Sequence, residues 1–376
     1  MIWQAGAITF GFLFFLFSLT PPAYHYFRLL LSDYKRPEIT RIENWPEITI
    51  VIPARDEAFL IRNKLEEILG IEYPKSKLNI LVIDSASEDA TKDISEDFLS
   101  ENLTKEKWRV IRIPSPGKSL AINHALDAIE TEFFILTDVD SSLPPNSFID
   151  SISLLSTNVE IGAVCGSLSV SEGIYMEAYR SRFNFLRLRE SHIFSTPILE
   201  GSICAFRKSA ISKDRIDEKI NADDSQLALI CYRNGFRAIM HDQINFTEPK
   251  FPASYQRTRS LRRAQGIVRV LFKNKDLAFG KDRFNGIFLH NLYFYVLMPW
   301  LALIGVMIFL YGVVSAFSQG SVGIGLFIGA AISIISITIS KTIRSFFSGL
   351  ILLAISQILL LSGKRLSEWK PYREFA

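Results

Sequence analysis

The chain of 376 residues is long enough for one large folded domain with additional elements. Its composition is apolar for a water-soluble protein, since 48% of its residues are hydrophobic, 29 are phenylalanine and its mean hydropathy is positive. A formal net charge of +3 gives no strong field toward nucleic acid, so we expect no nucleic-acid partner. The three cysteines form no Cys-x-x-Cys pair, which indicates a reducing compartment and argues against a disulfide framework or a structural zinc site.

The first predicted element is a transmembrane helix over residues 1–31, which carries no charged side chain before Arg28. This run is long enough to cross about 30 Å of hydrocarbon, and Pro21-Pro22 is expected to kink or end the helix late in the span. A cleaved signal peptide is the weaker interpretation, because no basic residue precedes the apolar run. Positive residues after the helix indicate its cytoplasmic flank, so the following domain is expected in the cytoplasm.

Residues 45–250 are predicted to form a cytoplasmic α/β domain. Apolar, β-branched runs such as EITIVIPAR, LNILVID, WRVIRI and EFFILTDVD alternate with runs of helical spacing. Continuous apolar strands separated by helices are typical of a mostly parallel sheet that is covered on both faces. Ligands of such sheets bind at the carboxyl ends of the strands, where Glu57, Asp84, Asp138 and Asp140 are expected.

Asp138 and Asp140 end the fourth apolar run and form the candidate metal site of the sequence. Two carboxylates at positions i and i+2, where a strand opens into a loop, can both turn toward one divalent cation. Such a cation neutralises the negative charge that builds up on a diphosphate leaving group. The pattern alone is common on solvated surfaces, and the preceding apolar strand favours the functional interpretation.

Four other residues each have a functional and a structural interpretation. Asp84 could accept a hydrogen bond from a nucleobase, or it could form a turn or cap the next helix. Lys118 stands at a predicted helix start, where phosphate binds, although the spacing of a P-loop is absent and a solvated lysine is the alternative. Asp223 and Asp224 open a predicted helix, where one could be a general base or both could complement the helix dipole.

The C-terminal third is predicted to be membrane-associated. Residues 251–285 contain basic amphipathic segments that we expect to lie at the interface, facing anionic lipid. Residues 286–362 form a transmembrane region of two or three spans, with apolar stretches at about 287–317, 322–340 and 345–362. A basic tail over 363–376 would lie outside if the last stretch crosses fully, which leaves open whether residues 345–362 span or re-enter.

The ordered motifs resemble the membrane-bound branch of family 2 glycosyltransferases, which includes polysaccharide synthases and ceramide glucosyltransferase. The resemblance covers nearly the whole middle domain and extends to the flanking helices. It rests on six segments of the sequence, each similar to one motif of the family. In chain order, IVIPARDEA, VIDSASEDAT and GKSLAINHAL are similar to the family's opening strand, nucleotide-binding turn and Gly-Lys helix. TDVDSSLPPNSF, EGSICAFRKSAI and ADDSQLAL are similar to its D-x-D segment, acceptor loop and E-D motif.

The resemblance implies a GT-A fold and an inverting transfer from a UDP- or GDP-linked sugar that depends on Mg²⁺ or Mn²⁺. It implies that Asp224 is the general base and that Asp138 and Asp140 hold the metal. The residues implied to bind the nucleotide-sugar are Pro53, Ala54, Glu57, Asp84, Lys118, Asp138, Gln256 and Arg259. Those implied on the acceptor side are Gly201, Ser202 and Asp223.

Two departures from the family pattern bear on the acceptor. The E-D pair reads Asp223-Asp224, and the Q-x-x-R-W motif ends in Ser260, so the tryptophan that stacks near the acceptor sugar is missing. Its absence favours single-sugar transfer over polymer synthesis, and it leaves Gln256 and Arg259 to contact the diphosphate or close the site.

The expected acceptor is a hydroxyl group of a glycolipid or lipid-linked saccharide. A hydroxyl must lose a proton to a base, whereas a lipid phosphate is already ionised at neutral pH. The alternatives are a polyprenyl-phosphate glycosyltransferase, a processive polysaccharide synthase and a catalytically silent membrane-anchored scaffold. The oligomeric state is not predicted.

Overall fold

The computed structural model describes residues 2–33, 35–169, 176–211, 214–249, 252–318 and 340–366. Over these residues the chain forms two compact units. The helical unit draws on the segments Met1–Ser32, Glu172–Phe183 and Leu271–Arg365. The sheet unit draws on the segments Asp33–Ser171, Asn184–Val270 and Leu366–Ala376.

A seven-stranded sheet organises the sheet unit. Its strands are β1 Ile48–Ala54, β2 Leu78–Ser85, β3 Trp108–Ile113, β4 Phe133–Thr137, β5 Ile161–Leu168, β6 Ile203–Arg207 and β7 Arg237–Phe246. They lie in the order β3-β2-β1-β4-β6-β5-β7. All neighbours are parallel except β6, which runs antiparallel to both β4 and β5. The predicted mostly parallel sheet is therefore confirmed.

Helices connect and cover these strands. In chain order the described α-helices are α1 Ile2–Leu30, α2 Ile61–Gly70, α3 Thr91–Asn102, α4 Lys118–Ala128, α5 Ser147–Thr157, α6 Met176–Ile193, α7 Lys208–Ile211, α8 Asp223–Arg233, α9 Ala253–Lys273, α10 Arg283–Leu292, α11 Met298–Ser318 and α12 Lys341–Leu361. Short 3₁₀ turns occur at Lys75–Lys77, Lys105–Lys107 and Lys275–Phe279, and a π-helical turn at Tyr293–Leu297 joins α10 to α11.

The core of the sheet unit lies on both faces of the sheet. Every residue of β1, β4 and β5 is buried, as expected for strands with helices on each side. Side chains alternate along β1, so Ile50 and Ile52 join the cluster that includes Leu65 of α2, whereas Val51 joins the cluster that includes Ala121 of α4. Each fully buried aliphatic side chain contributes roughly 1.5–3 kcal/mol to folding.

The strand register aligns the carboxyl ends of the central strands. Ala54, the last residue of β1, is paired with Asp84 of β2, and Val51 is paired with Leu136 of β4. The chain leaves β4 after Thr137 and turns directly into Asp138. The acidic residues that end separate segments of the sequence are therefore brought to one edge of the sheet.

Among the described residues, three helices of the helical unit are long and apolar enough to cross a membrane, at Ala5–Leu30, Arg283–Ser318 and Ile343–Leu361. Helices α1 and α11 approach closely at glycines. A Cβ atom on Gly305 would lie 2.9 Å from the Cα of Phe15, and one on Gly11 would lie 2.8 Å from the Cα of Phe309. Small residues at such contacts allow apolar helices to pack backbone against backbone.

Helix α1 does not end at its two prolines, so the helix stop that the sequence offered as one outcome does not occur. It continues through Pro21 and Pro22 to Leu30. Because Pro22 has no N–H, the carbonyl of Ser18 lacks its usual helical donor. The hydroxyl of Tyr293 donates to that carbonyl at 2.9 Å and replaces the missing bond.

Two predicted membrane features fall largely outside the described residues. The apolar stretch at 322–340 lies there except for Ser340, and the basic tail over 363–376 lies there from residue 367 onward.

Candidate active site

The best-defined contact of the candidate site joins Lys118 to Asp138. Lys118 is the first residue of α4, and its Nζ donates to Asp138 Oδ1 at 2.6 Å. Burial alone would lower the pKa of Lys118, but the carboxylates of Asp138, Asp224 and Asp223 outweigh it and raise that pKa above the usual lysine value. The lysine therefore carries a positive charge at the strand edge, and the solvated interpretation is not what the structure shows.

Negative charge is crowded around the Asp138-Val139-Asp140 segment. Burial raises the pKa of Asp140, and repulsion from Asp138 adds to it, while Arg259 opposes the shift. Burial likewise raises the pKa of Glu57 to about 8, with further contributions from Asp140 and Asp138. A divalent cation would relieve this repulsion, so the carboxylates fit a metal ion.

The described side chains at this edge do not enclose a metal ion by themselves. Within the described segments, no group of three or more His, Cys, Asp or Glu side chains is arranged to hold a metal ion. A cation bound by Asp138 and Asp140 would therefore take its remaining ligands from water and from a bound phosphate group, as magnesium usually does.

Asp84 performs the turn-forming role that the sequence left open. Its side chain is fully buried, and Oδ1 accepts from the backbone N–H of Ser87 at 3.1 Å. Its Oδ2 lies 3.4 Å from Arg112 Nη1 and has no hydrogen-bond partner within the part of the chain that the structure describes. Pro53 and Ala54 are buried beside it at the end of β1.

Asp223 and Asp224 begin α8 and have different surroundings. Ser119 Oγ donates to Asp223 Oδ1, which fixes the first carboxylate against α4. Burial raises the pKa of Asp224 to about 7; Lys118 opposes this shift, and the neighbouring charges of Asp223 and Asp138 add to it. Asp224 Oδ1 has no hydrogen-bond partner among the described residues, so it can take a proton from a ligand.

Gly201 lies beside the Asp224 carboxylate, which brings one of the predicted acceptor residues to the predicted base. A Cβ atom on Gly201 would come within 2.7 Å of Asp224 Cγ, so only glycine leaves room for that carboxylate. The carbonyl of Ser202 accepts from Thr137 Oγ1 at 2.8 Å, which attaches this loop to the end of β4.

Models of two related families match the chain. "Glycosyl transferase family group 2" matches residues 133–356, more than half of the chain, and "Glycosyl transferase family 2" matches residues 49–215. The chain belongs to glycosyl transferase family 2. Both matches include β4 and the Asp138-Val139-Asp140 segment.

Curated relatives agree with this family at low identity. The probable glycosyltransferase YdaM of Bacillus subtilis is 27% identical over 66% of this chain and 64% of its own length. A poly-beta-1,6-N-acetyl-D-glucosamine synthase of Staphylococcus epidermidis is 22% identical over 50% of this chain and 46% of its own length. The chain thus spans less than two thirds of either relative.

A solved structure shows the same fold. The mannosyltransferase PcManGT from Pyrobaculum calidifontis, in complex with GDP-Man and Mn²⁺, superposes with a TM-score of 0.79 at 23% identity. The superposition covers 95% of this chain and 99% of that one. The predicted GT-A fold is therefore confirmed for this family 2 chain.

Glu248 is a residue of the site that sequence reasoning missed. Its buried carboxylate accepts from Arg259 Nη1 at 2.7 Å and from Arg263 Nη2 at 3.0 Å. Arg259 Nη2 lies 4.0 Å from Asp140 Oδ2, so Glu248 holds this arginine next to the acidic edge. An isolated acid in the loop after β7 carries no sequence signal for that role.

Helix α9 contributes to the site as well as to the predicted interface region. Arg259 and Arg263 are one turn apart and both reach Glu248. The sequence predicted residues 251–285 at the interface and, through the family resemblance, Gln256 and Arg259 at the nucleotide-sugar. Gln256 lies one turn before Arg259 and is half-buried. The N-terminal part of this helix therefore belongs to the candidate active site in a family 2 glycosyltransferase.

A second missed contact fixes the loop after Asp140. Lys64 is buried, and its Nζ donates to the carbonyl of Ser141 at 2.8 Å and to Glu67 Oε2 at 2.9 Å. Glu67 Oε1 in turn accepts from the backbone N–H of Leu143 at 2.6 Å. Both residues of α2 thus hold the loop that follows the Asp138-Val139-Asp140 segment.

Proposed function

We propose that this protein is an inverting glycosyltransferase that moves a sugar from a nucleotide-sugar to a hydroxyl group of a membrane-associated acceptor. The observation that carries the proposal is Asp224, a carboxylate with a pKa of about 7 and an unbonded oxygen, placed against Gly201. A general base works best when its pKa lies near the working pH. Family membership supplies the reaction class.

The donor side is proposed to be formed by the strand-edge residues. Lys118 and Arg259 are cations that can bind the diphosphate, and Asp138 and Asp140 would hold Mg²⁺ or Mn²⁺. When bound, the metal ion supplies charge neutralisation for the departing diphosphate. The GDP-Man and Mn²⁺ named with PcManGT support this kind of donor, while the sugar, the base and the choice between the two metals stay open.

The proposed reaction is a single in-line displacement. The acceptor hydroxyl transfers its proton to Asp224, and its oxygen forms a bond with the anomeric carbon as the bond from that carbon to the diphosphate breaks. The leaving group departs on the side opposite the attack, so the configuration at the anomeric carbon inverts. Lys118 lies beside Asp138 and can stabilise the negative charge on the diphosphate.

A hydroxyl acceptor is favoured over a lipid phosphate. A hydroxyl must lose a proton to a base such as Asp224, whereas a lipid phosphate is already ionised at neutral pH and needs no base. Three helices capable of crossing a membrane support an acceptor held in the bilayer, and the positive residues after α1 support a catalytic domain facing the cytoplasm. Similarity to the S. epidermidis polysaccharide synthase favours a processive enzyme as the second candidate, although Ser260 stands where that branch has tryptophan.

The donor and acceptor can be identified together. Membranes containing the protein are incubated with a panel of radiolabelled UDP- and GDP-sugars, and the products are separated into lipid and polymer fractions. We expect label in the lipid fraction, one sugar per acceptor, in a linkage stable to mild acid. Label in a growing polymer would favour the processive candidate, and an acid-labile lipid product would indicate a polyprenyl-phosphate sugar. No label from any donor, with active enzyme controls, contradicts the proposal.

A further inference from the structure

The helical unit contains a cluster of nitrogen-bearing side chains that the catalytic proposal does not use. Arg28 lies in the last turn of α1, and His25 lies one turn before it. The buried ring of His25 stacks on the ring of His290 from α10, with centroids 3.7 Å apart. We call Arg28, His25 and His290 the Arg-His cluster.

Arg28 and His290 have side-chain nitrogens that bind no other group in the described part of the chain. Nε and Nη2 of Arg28 and Nδ1 of His290 are buried, and none has a hydrogen-bond partner among the described residues. A Cβ atom on Gly286 would lie 3.5 Å from Nη1 of Arg28, so a larger side chain at this glycine would occupy space beside the guanidinium. Burying such donors without a partner is unfavourable, because the bonds they made to water are not replaced.

Counter-charge is missing from the three candidate membrane helices. The spans Ala5–Leu30, Arg283–Ser318 and Ile343–Leu361 contain no aspartate or glutamate. Other buried polar groups of the unit do find partners, since Trp300 Nε1 donates to Gln357 Oε1 at 2.8 Å. A buried guanidinium in an apolar unit needs an anion, and these helices do not supply one.

The position of Arg28 along α1 indicates where the anion comes from. Tyr24, Tyr26 and Phe27 precede it within four positions and are exposed on the helix. Aromatic side chains of this kind collect at the level of lipid headgroups, which is also the depth of lipid phosphates. A guanidinium matches phosphate by donating two parallel hydrogen bonds, which makes arginine a better phosphate ligand than lysine.

We propose that Arg28 and His290 bind the phosphate group of a membrane lipid. The phosphate oxygens accept from the buried arginine nitrogens and from the His290 ring, and the acyl or prenyl chains remain in the bilayer beside α1 and α10. Two kinds of lipid carry this chemistry, a phosphoglyceride with a phosphodiester headgroup and a polyprenyl phosphate with a monoester.

Native mass spectrometry of the full-length protein in detergent tests the proposal. The probes are phosphatidylglycerol, polyprenyl monophosphate, diacylglycerol without phosphate, and inorganic phosphate alone. We expect one phospholipid to remain bound to the wild type, with affinity lower by about 10-fold or more in Arg28→Gln, because the charge-assisted bonds from Arg28 to the phosphate are lost. Diacylglycerol binding should not change. The better-bound phospholipid identifies the source.

Two further variants make the result decisive. Lys281→Gln removes an exposed cation of the same unit and should leave phospholipid binding unchanged. Gly286→Leu keeps every charge but fills the space beside Arg28, so it should weaken binding even if Arg28→Gln folds poorly. Equal affinity in wild type, Arg28→Gln and Gly286→Leu would overturn the site. So would an equal loss in Lys281→Gln, or binding of inorganic phosphate as tight as that of the lipids.

Discussion

Gly201 lies directly against the carboxylate of Asp224, leaving no room for a side chain at position 201. A methyl group there would come within 2.7 Å of Asp224 Cγ and would push the carboxylate away from its present position. Displacing a catalytic group by about 1 Å can lower turnover by about 100-fold. We expect Gly201→Ala to lose about that much kcat with little change in the KM for the donor.

The matched control for this prediction is Gly70→Ala. Gly70 ends α2, and a Cβ atom there would meet nothing within 4 Å. Alanine is also the better helix former, so this variant should keep its activity and its Tm. If Gly201→Ala retains wild-type kcat, the close contact with Asp224 has no catalytic significance.

The pH dependence of transfer should report Asp224. Its pKa is raised to about 7 by burial, and a general base must be ionised to accept a proton. The rate should therefore be constant well above pH 7 and should fall about tenfold per pH unit below it. Glu57, whose pKa is also raised, to about 8, could titrate in the same range. The acidic limb should therefore persist in Glu57→Gln and disappear from the residual activity of Asp224→Asn.

The same burial predicts how stability changes with pH. The folded pKa of Asp224 is raised, so the folded state binds its proton more tightly than the unfolded state, and stability falls as pH rises from about 4 to 7. Each pKa unit corresponds to about 1.4 kcal/mol. Asp224→Asn should therefore raise the apparent Tm, and by more at pH 8 than at pH 5. A variant whose Tm gain is equal at both pH values would show that Asp224 is not buried in its charged form.

Glu248 is predicted to position Arg259 for the donor. Removing its charge with Glu248→Gln breaks the buried pair with Arg259, which typically costs about 3–5 kcal/mol, and also the solvent-screened pair with the part-exposed Arg263. We expect a lower Tm and a KM for the nucleotide-sugar about 10-fold higher, because Arg259 is no longer held beside Asp140. Glu66→Gln, on the exposed face of α2, is the control and should change neither quantity. An unchanged donor KM in a folded Glu248→Gln protein would leave Glu248 with a structural role only.

Sugar transfer should require a divalent cation, and Asp140 should be needed to bind it. Asp140→Asn halves the pair of carboxylates proposed to hold the cation, and chelation with EDTA removes the cation itself. Both treatments should reduce transfer below about 1% of wild type, and adding back Mg²⁺ or Mn²⁺ should restore only the chelated wild type. Isothermal titration of Mn²⁺ in the presence of nucleoside diphosphate measures the site independently of turnover. Full activity after both treatments would exclude the metal assignment.

Much of the sheet and its acidic edge could be predicted because their signals are local. Strands β1, β2 and β4 are continuous apolar runs. Asp84 lies near the end of β2 and Asp138 directly follows β4, and both strands pair in parallel with β1. The parallel register alone therefore brings the two carboxylates to the same edge. Lys118 was harder to interpret, because a lysine after glycine is usually solvated. Its charge is paired only because α4 starts beside the end of β4.

The supporting residues could not be predicted because their partners are distant in the sequence. Lys64 contacts Ser141, which is 77 positions away, and no local pattern distinguishes it from other lysines of an amphipathic helix. Glu248 acquires its role only when α9 folds back over the loop after β7. Pro22 was expected to kink or end α1. The hydroxyl of Tyr293 that replaces the missing bond to Ser18 lies 275 positions away, so the sequence around Pro22 gives no sign of it.

Single-turnover transfer by Asp224→Asn is the most direct test of the central claim that Asp224 is the base of a glycosyltransferase. Purified enzyme is mixed with its nucleotide-sugar and acceptor, and the rate of glycosidic bond formation is compared with wild type and with Asp97→Asn, which changes an exposed carboxylate on α3. We predict donor binding within about twofold of wild type and a rate lower by about 100-fold or more, with Asp97→Asn unaffected. Bond formation by Asp224→Asn at the wild-type rate would contradict the account.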